Sequence, residues 1–140
     1  MNPPSWVLDT NVVVSGLLSA HGSPGRLTDA LLAGLLRLAF DDRIEAEYRE
    51  VLARPKFCIS AERRAAFLNE LRNQDPVVAQ PWTGSSPPDP DDLPFLEVAL
   101  QATDRVLVTG NQKHFPRACR GGVQLLSPRQ AWARLAGIPE

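Results

Sequence analysis

Short apolar runs alternate with amphipathic stretches along the chain, and several runs end abruptly in polar residues. Trp6-Val7-Leu8 gives way at once to Asp9-Thr10-Asn11, which predicts a buried strand with polar residues at its carboxyl end. A helix is expected over 12–18, broken at His21-Gly22-Ser23-Pro24-Gly25. Ser23 followed by Pro24 reads as an N-cap and first helical position, opening a Leu/Ala-rich helix to about Leu36. A second strand follows over 36–40. Asp41 or Asp42 caps a helix over about 43–53, with Pro55 just past its end. Ser60 caps another over 61–73; Asp75-Pro76 reads as a turn and Val77-Val78-Ala79 as a weak strand. Residues 83–90 read as a surface loop too short to divide domains. A helix over 91–102, a buried strand over 106–109 turning at Gly110-Asn111, and a last strand over 123–126 complete the pattern. Ser127-Pro128-Arg129-Gln130 is a capping box that opens a terminal helix to Ala136, before Gly137.

Strands alternate with helices throughout, so the expected class is α/β, with a mostly parallel sheet and helices on both faces. A length of 140 residues fits a single domain over 1–140. Sites in such sheets form at the carboxyl ends of strands. Two strands end in polar clusters, Asp9-Thr10-Asn11 and Thr109-Gly110-Asn111, and parallel pairing would put both on one edge.

Composition narrows the function classes. Apolar residues make up 44% of the chain and charged residues 22%, so a packed core is expected. No apolar run approaches the ~20 residues of a membrane span, and no role in a membrane is expected. The first residues carry neither a basic segment nor a long apolar one, so the expectation is a cytoplasmic protein without a secretory leader. Cys58 and Cys119 belong to no metal-type cluster. Fifteen basic residues against sixteen acidic ones give a net charge of −1, which exerts no global pull on nucleic acid. Thirteen of the fifteen are Arg, a residue suited to bidentate phosphate contacts, although gene base composition explains the same bias equally well.

On a helical wheel of 91–102, Phe95, Leu96, Ala99, Leu100 and Ala102 share one face, and Asp92 falls near its middle. Glu97 and Gln101 point away and are expected to be solvated. On the helix over 43–53, Ile44, Tyr48, Val51 and Leu52 define the apolar face. Glu45 and Glu47 flank it, and periodicity does not choose between them. Asp9, one of the two glutamates, and Asp92 could therefore converge at one sheet edge. Clustered carboxylates repel one another unless a cation sits between them. An all-oxygen donor set favours a hard ion, Mg²⁺ or Mn²⁺, of the kind that serves phosphate chemistry. His21 and His114 read as surface or loop residues rather than ligands, and Trp6, Trp82 and Trp132 as packing residues.

Four stretches are familiar together. Val7-Leu8-Asp9-Thr10-Asn11 resembles the opening strand of PIN-domain ribonucleases. The segment 47–57 (EYREVLARPKF) resembles a stretch of one PIN branch, known for toxin components of bacterial toxin–antitoxin pairs. The segment 89–99 (DPDDLPFLEVA) resembles a helix start of that branch, and 107–115 (LVTGNQKHF) its LVTGD turn. The resemblance implies an α/β/α sandwich, Mg²⁺ or Mn²⁺, cleavage of RNA, an antitoxin partner and a homodimer. It selects Glu47 over Glu45, and implies Asp9, Glu47 and Asp92 as metal-binding and catalytic acids. Asn111 stands where the family commonly has a fourth acid; an amide orients water or binds a cation weakly but adds no charge. Thr10, Asn11 and Thr109 are expected to support the acids from behind. Arg54, Lys56, Lys113, Arg117 and Arg120 are expected to hold the RNA backbone. Haloacid-dehalogenase-like phosphatases also place an Asp after their first strand, but they need a second acid where Asn11 stands. Receiver-like domains want a Lys after the last strand, where Ser127-Pro128 stands. The alternative within the family is a catalytically degenerate domain that binds RNA or a protein partner without cutting.

Overall fold

The computed structural model of the chain describes residues 2–139; Met1 and Glu140, the ends of the 1–140 span expected as one domain, lie outside the described residues. Five parallel strands form the sheet: β1 (Ser5–Leu8), β2 (Arg37–Phe40), β3 (Asp75–Pro76), β4 (Val106–Val108) and β5 (Gln124–Leu126), in the order β3-β2-β1-β4-β5. Six helices accompany them: α1 (Thr10–Leu18), α2 (Ser23–Leu32), α3 (Asp42–Leu52), α4 (Ala61–Glu70), α5 (Leu93–Gln101) and α6 (Pro128–Ala136). The chain moves one way across the sheet from β1 to β2 and the other way from β3 to β4. Right-handed crossovers therefore place α1–α2 and α5 on opposite faces. α1, α2 and α6 pack together, and α5 lies against β1, β2 and β4, which makes three layers. No helix of the described residues is long and apolar enough to cross a membrane.

Each strand of the centre is buried on both faces, as a parallel sheet between helices must be. The Tyr48 hydroxyl donates to the Leu8 carbonyl at 2.5 Å, and its ring meets Phe67 edge-on with centroids 5.6 Å apart. This ties α3, and α4 behind it, to the carboxyl end of β1. Gly16 lets α1 and α2 cross closely: a Cβ there would stand 2.7 Å from the Pro24 carbonyl oxygen and 2.7 Å from the Thr28 methyl carbon.

Local signals decide most helix starts. The Asp41 carboxylate accepts from the Arg43 and Ile44 amides at 3.1 Å each, which makes Asp41 rather than Asp42 the cap of α3. Ser60 accepts from the Arg63 amide at 3.2 Å, and Ser127 and Gln130 form the reciprocal capping box at 3.1 and 2.9 Å.

Four expectations need correction. Ser23 is the first residue of α2, and Gly22 occupies the cap position without a side-chain bond. α2 also stops at Leu32, because Gly34 turns left-handed at φ +80° while the Leu35 amide reaches back to the Ala30 carbonyl at 2.8 Å. The third strand is Asp75–Pro76, expected as a turn; Val77 adds only its amide, which donates to Phe40 at 2.8 Å, and Val78 is exposed. Glu97, expected in solvent, is 5% exposed. It accepts from Arg43 at 2.7 Å and from the Trp82 amide at 2.6 Å, because the chain between β3 and α5 folds over the outer side of α5.

Glu97→Ala should therefore lower the unfolding free energy by about 1 to 3 kcal/mol in a urea titration, since it leaves the Trp82 amide without its acceptor, while the exposed Arg43 keeps Asp41 at 2.8 Å. A solvated glutamate at the same position would lose less than about 0.5 kcal/mol.

Candidate acidic centre at the sheet edge

β1 and β4 pair in parallel with Leu8 opposite Val108, so the next residues, Asp9 and Thr109, leave the sheet side by side. The Thr109 hydroxyl donates to Asp9 Oδ2 at 2.7 Å, and the Thr10 amide donates to Asp9 Oδ1 at 2.8 Å. Both oxygens are held, so the carboxyl group has a fixed direction. α3 brings Glu47 to the same edge, where it accepts a hydrogen bond from the Thr10 hydroxyl. Glu45, its competitor on the wheel, pairs instead with Arg49 at 2.9 Å on the outer side.

Asp92 arrives from a third direction. The turn Pro90–Asp92 opens on Asp89, whose carboxylate accepts from the Asp91 amide at 2.9 Å, and runs directly into α5. Asp92 is 8% exposed, and its Oδ2 is buried with no hydrogen-bond partner among the described residues. His114 Nδ1 lies 3.4 Å from that oxygen, without hydrogen-bond alignment. A buried acceptor without a partner in the chain is rare.

The electrostatics follow from this crowding. Burial raises the Asp9 carboxyl above its ordinary 3.8, against the lowering effect of Thr109, Thr10 and His114. Burial likewise raises Glu47 above 4.5, with the Asp9 charge adding to it. Asp92 is pushed up to about 6, first by burial and then by the charge of Asp9. Burial and the charges of Asp9 and Glu47 also drive the Tyr48 hydroxyl well upward, so it stays a donor to Leu8. The three acids share one environment and feel one another. Among the described residues, however, no three His, Cys, Asp or Glu side chains gather closely enough to hold an ion as they stand. Two threonines engage Asp9 and Glu47, and like charge opposes closer approach.

The neighbours divide into two groups. The Asn111 backbone N–H donates to the Thr109 hydroxyl at 3.1 Å, and the Asn111 Nδ2 lies 2.9 Å from His114 Nε2. A chain of neighbours thus runs Asp9–Thr109–Asn111–His114–Asp92. Asn11 is exposed, with its amide beside Gly110 rather than on an acid. Of the five cations expected to hold RNA, Lys113 and Arg117 are exposed and have no acidic partner among the described residues. Arg54 pairs with Glu50 at 2.9 Å, Lys56 lies over the Phe57 ring at 5.0 Å, and Arg120 donates to the Phe115 carbonyl at 2.8 Å. His114, read from sequence as a loop residue, belongs to the centre. Its signal was spacing: residues 111 and 114 bracket a 3₁₀ turn, where positions i and i+3 eclipse.

The parallel α/β sandwich thus carries these carboxyl groups at the carboxyl edge of its sheet, where sites form in such folds. The chain belongs to the PIN domain family, whose model matches residues 5–113. That family consists generally of nucleases, and its members usually use divalent metal ions. No curated protein and no solved structure matches the chain.

The raised acids carry a stability signature. Asp92 ionises at about 6 in the fold against 3.8 ordinarily, so the folded state binds the extra proton. Its contribution is fully present below 3.8 and is lost as pH rises through about 6. In chelator near neutral pH, Asp92→Asn should raise the thermal midpoint by a few degrees, and the gain should vanish in acid. A fall of several degrees would make Asp92 a structural cap.

Proposed function

We propose that this chain, acting as one domain over residues 1–140, is a divalent-metal-dependent ribonuclease that hydrolyses RNA phosphodiester bonds. The observation that carries this reading is the buried Asp92 Oδ2, without a partner among the described residues, on a carboxyl group that burial and the charges of Asp9 and Glu47 push upward. Asp9, Glu47 and Asp92 would hold Mg²⁺ or Mn²⁺, whose all-oxygen coordination suits such a donor set. When bound, the ion supplies Lewis acidity and an activated water. The protein's own part is positional. Thr109 and the Thr10 amide fix the direction of Asp9, and the Thr10 hydroxyl fixes Glu47. Asn111 and His114 brace the gap between Thr109 and Asp92. Lys113 and Arg117, exposed beside that brace, would hold phosphates of the strand, with Arg54, Lys56 and Arg120 further out.

The motif stretches 47–57, 89–99 and 107–115 support a narrower reading: the toxin of a toxin–antitoxin pair, active in the cytoplasm, homodimeric, and restrained by an antitoxin protein. Asn111 favours a second reading, in which the domain binds RNA or a partner without cutting, because an amide adds no charge where the resemblance expects an acid.

Single-turnover cleavage of a mixed-sequence RNA across a Mn²⁺ series separates the two. The native protein should cut, Asp9→Asn should abolish cutting, and Thr109→Val should raise the Mn²⁺ concentration for half-maximal rate about 10- to 100-fold. Asn111→Asp should reach half-maximal rate at lower Mn²⁺, since affinity for hard cations rises with ligand charge. A native protein that binds RNA but cuts at no Mn²⁺ level is the degenerate domain.

Reversing Lys113 and Arg117 together to Glu should weaken RNA binding and reduce its salt slope by about 0.7 for each phosphate no longer neutralised. An unchanged slope removes this patch from the RNA path.

A further inference from the structure

On the α2–α6 side of the sheet lies a cleft of about 700 Å³ that the acidic centre does not explain. It runs along α6 from Arg129 and Gln130 in the first turn to Ile138 beyond the last, with His21 and Arg26 on the opposite wall. Among the described residues, none that lines it is acidic. Neither Arg26 nor Arg129 meets a carboxylate within salt-bridge distance among the described residues. Both arginines line the cleft and are exposed. The Arg26 guanidinium carbon lies 5.6 Å from the centroid of the Trp132 ring, which also lines the cleft and is only half-buried. That distance is within cation–π range.

The position of the cleft ties it to the acids. α6 begins directly after β5, and the Leu126 carbonyl accepts from the Thr109 amide at 2.9 Å. The first turn of α6, with Arg129, therefore stands at the same sheet edge as Asp9 and Thr109. The cleft leads away from that edge along the helix.

We propose that this cleft is a second binding site for single-stranded RNA, in which Arg26 and Arg129 grip a backbone phosphate and Trp132 stacks a neighbouring base. Paired guanidinium groups suit phosphate, and an indole beside them suits a base; an acidic peptide would use the first and have no need of the second. The proposal rests on the ribonuclease reading only for the identity of the strand.

The test is anisotropy of a short, labelled, mixed-sequence single-stranded RNA with the full chain, in chelator, across a potassium chloride series. Arg26→Gln/Arg129→Gln should weaken binding about tenfold and lower the slope of log affinity against log salt by about 0.7 to 1.4. Trp132→Leu should weaken binding with the slope unchanged, because it removes stacking and no charge. Unchanged affinity and slope in the double variant overturn the site. So does a Glu-rich peptide whose binding needs the two arginines while RNA binding does not. Because cleavage is silent in chelator, the two readings fail separately. Arginine-dependent binding by a protein that never cuts RNA keeps this cleft and removes the nuclease. Cutting with arginine-independent binding does the reverse.

Discussion

The β1–β4 register is the constraint on which the rest of the acidic edge depends. Pairing Leu8 with Val108 sets Asp9 beside Thr109, and the 2.7 Å hydroxyl bond keeps a buried carboxyl group supplied with a donor. A slip of one residue would set Asp9 against Val108 or Gly110, neither of which carries a side-chain donor, and would leave the buried Asp9 carboxyl group without its hydroxyl partner. Tyr48 extends the same constraint sideways. Its hydroxyl is bound to the last carbonyl of β1, so α3 cannot shift without exposing a buried polar pair, and Glu47, one residue earlier, is carried to Asp9 as a consequence.

α5 shows how partners, rather than burial, distinguish two acids. Glu97 and Asp92 stand on or just before the same helix and are buried to a similar degree, 5% and 8% exposed. Glu97 receives a guanidinium and a backbone amide, so its charge is matched inside the protein and serves to clamp the 82–90 segment onto α5. Asp92 receives neither: its Oδ2 has only a poorly aligned imidazole nearby and two carboxyl groups in view. A chain selected for stability alone would have paired or replaced such a group, because an unmatched buried carboxylate opposes folding.

What could be read from the sequence was what is decided locally. The strand ends at Asp9 and Thr109, the Ser60 and Ser127 caps, and the burial of Asp92 all follow from residues within a turn of one another. The errors lie where a distant partner decides. Asp75-Pro76 has the composition of a turn, yet it pairs with Ala39 and Phe40 because the sheet needs an edge there, and an edge strand tolerates proline. The wheel placed Glu97 correctly on the side of α5 away from the sheet, but could not show that the chain returns to cover that side. The Leu/Ala pattern of α2 runs on past Leu32, and only the left-handed Gly34 stops it. His114 was hidden by its surroundings: a basic, exposed-looking stretch that a single 3₁₀ turn folds back onto Asp92.

The arrangement of charge explains why a net value of −1 carries no information about partners. Screening limits the reach of a surface charge to about 10 Å at ordinary ionic strength, so a ligand meets local groups rather than the sum. Around the acids the chain places its cations in two conditions. Some are satisfied from within, as Arg54 is by Glu50 and Arg43 by Glu97 and Asp41. Others are left open, namely Lys113 and Arg117 after the Asn111 turn and Arg26 and Arg129 along the α6 cleft. None of these open cations pairs with Asp9, Glu47 or Asp92 among the described residues, and His114 Nδ1 lies 3.4 Å from Asp92. Pairing the acids with one of these open cations would remove both the repulsion and the orphan oxygen, and the fold instead keeps the two signs apart.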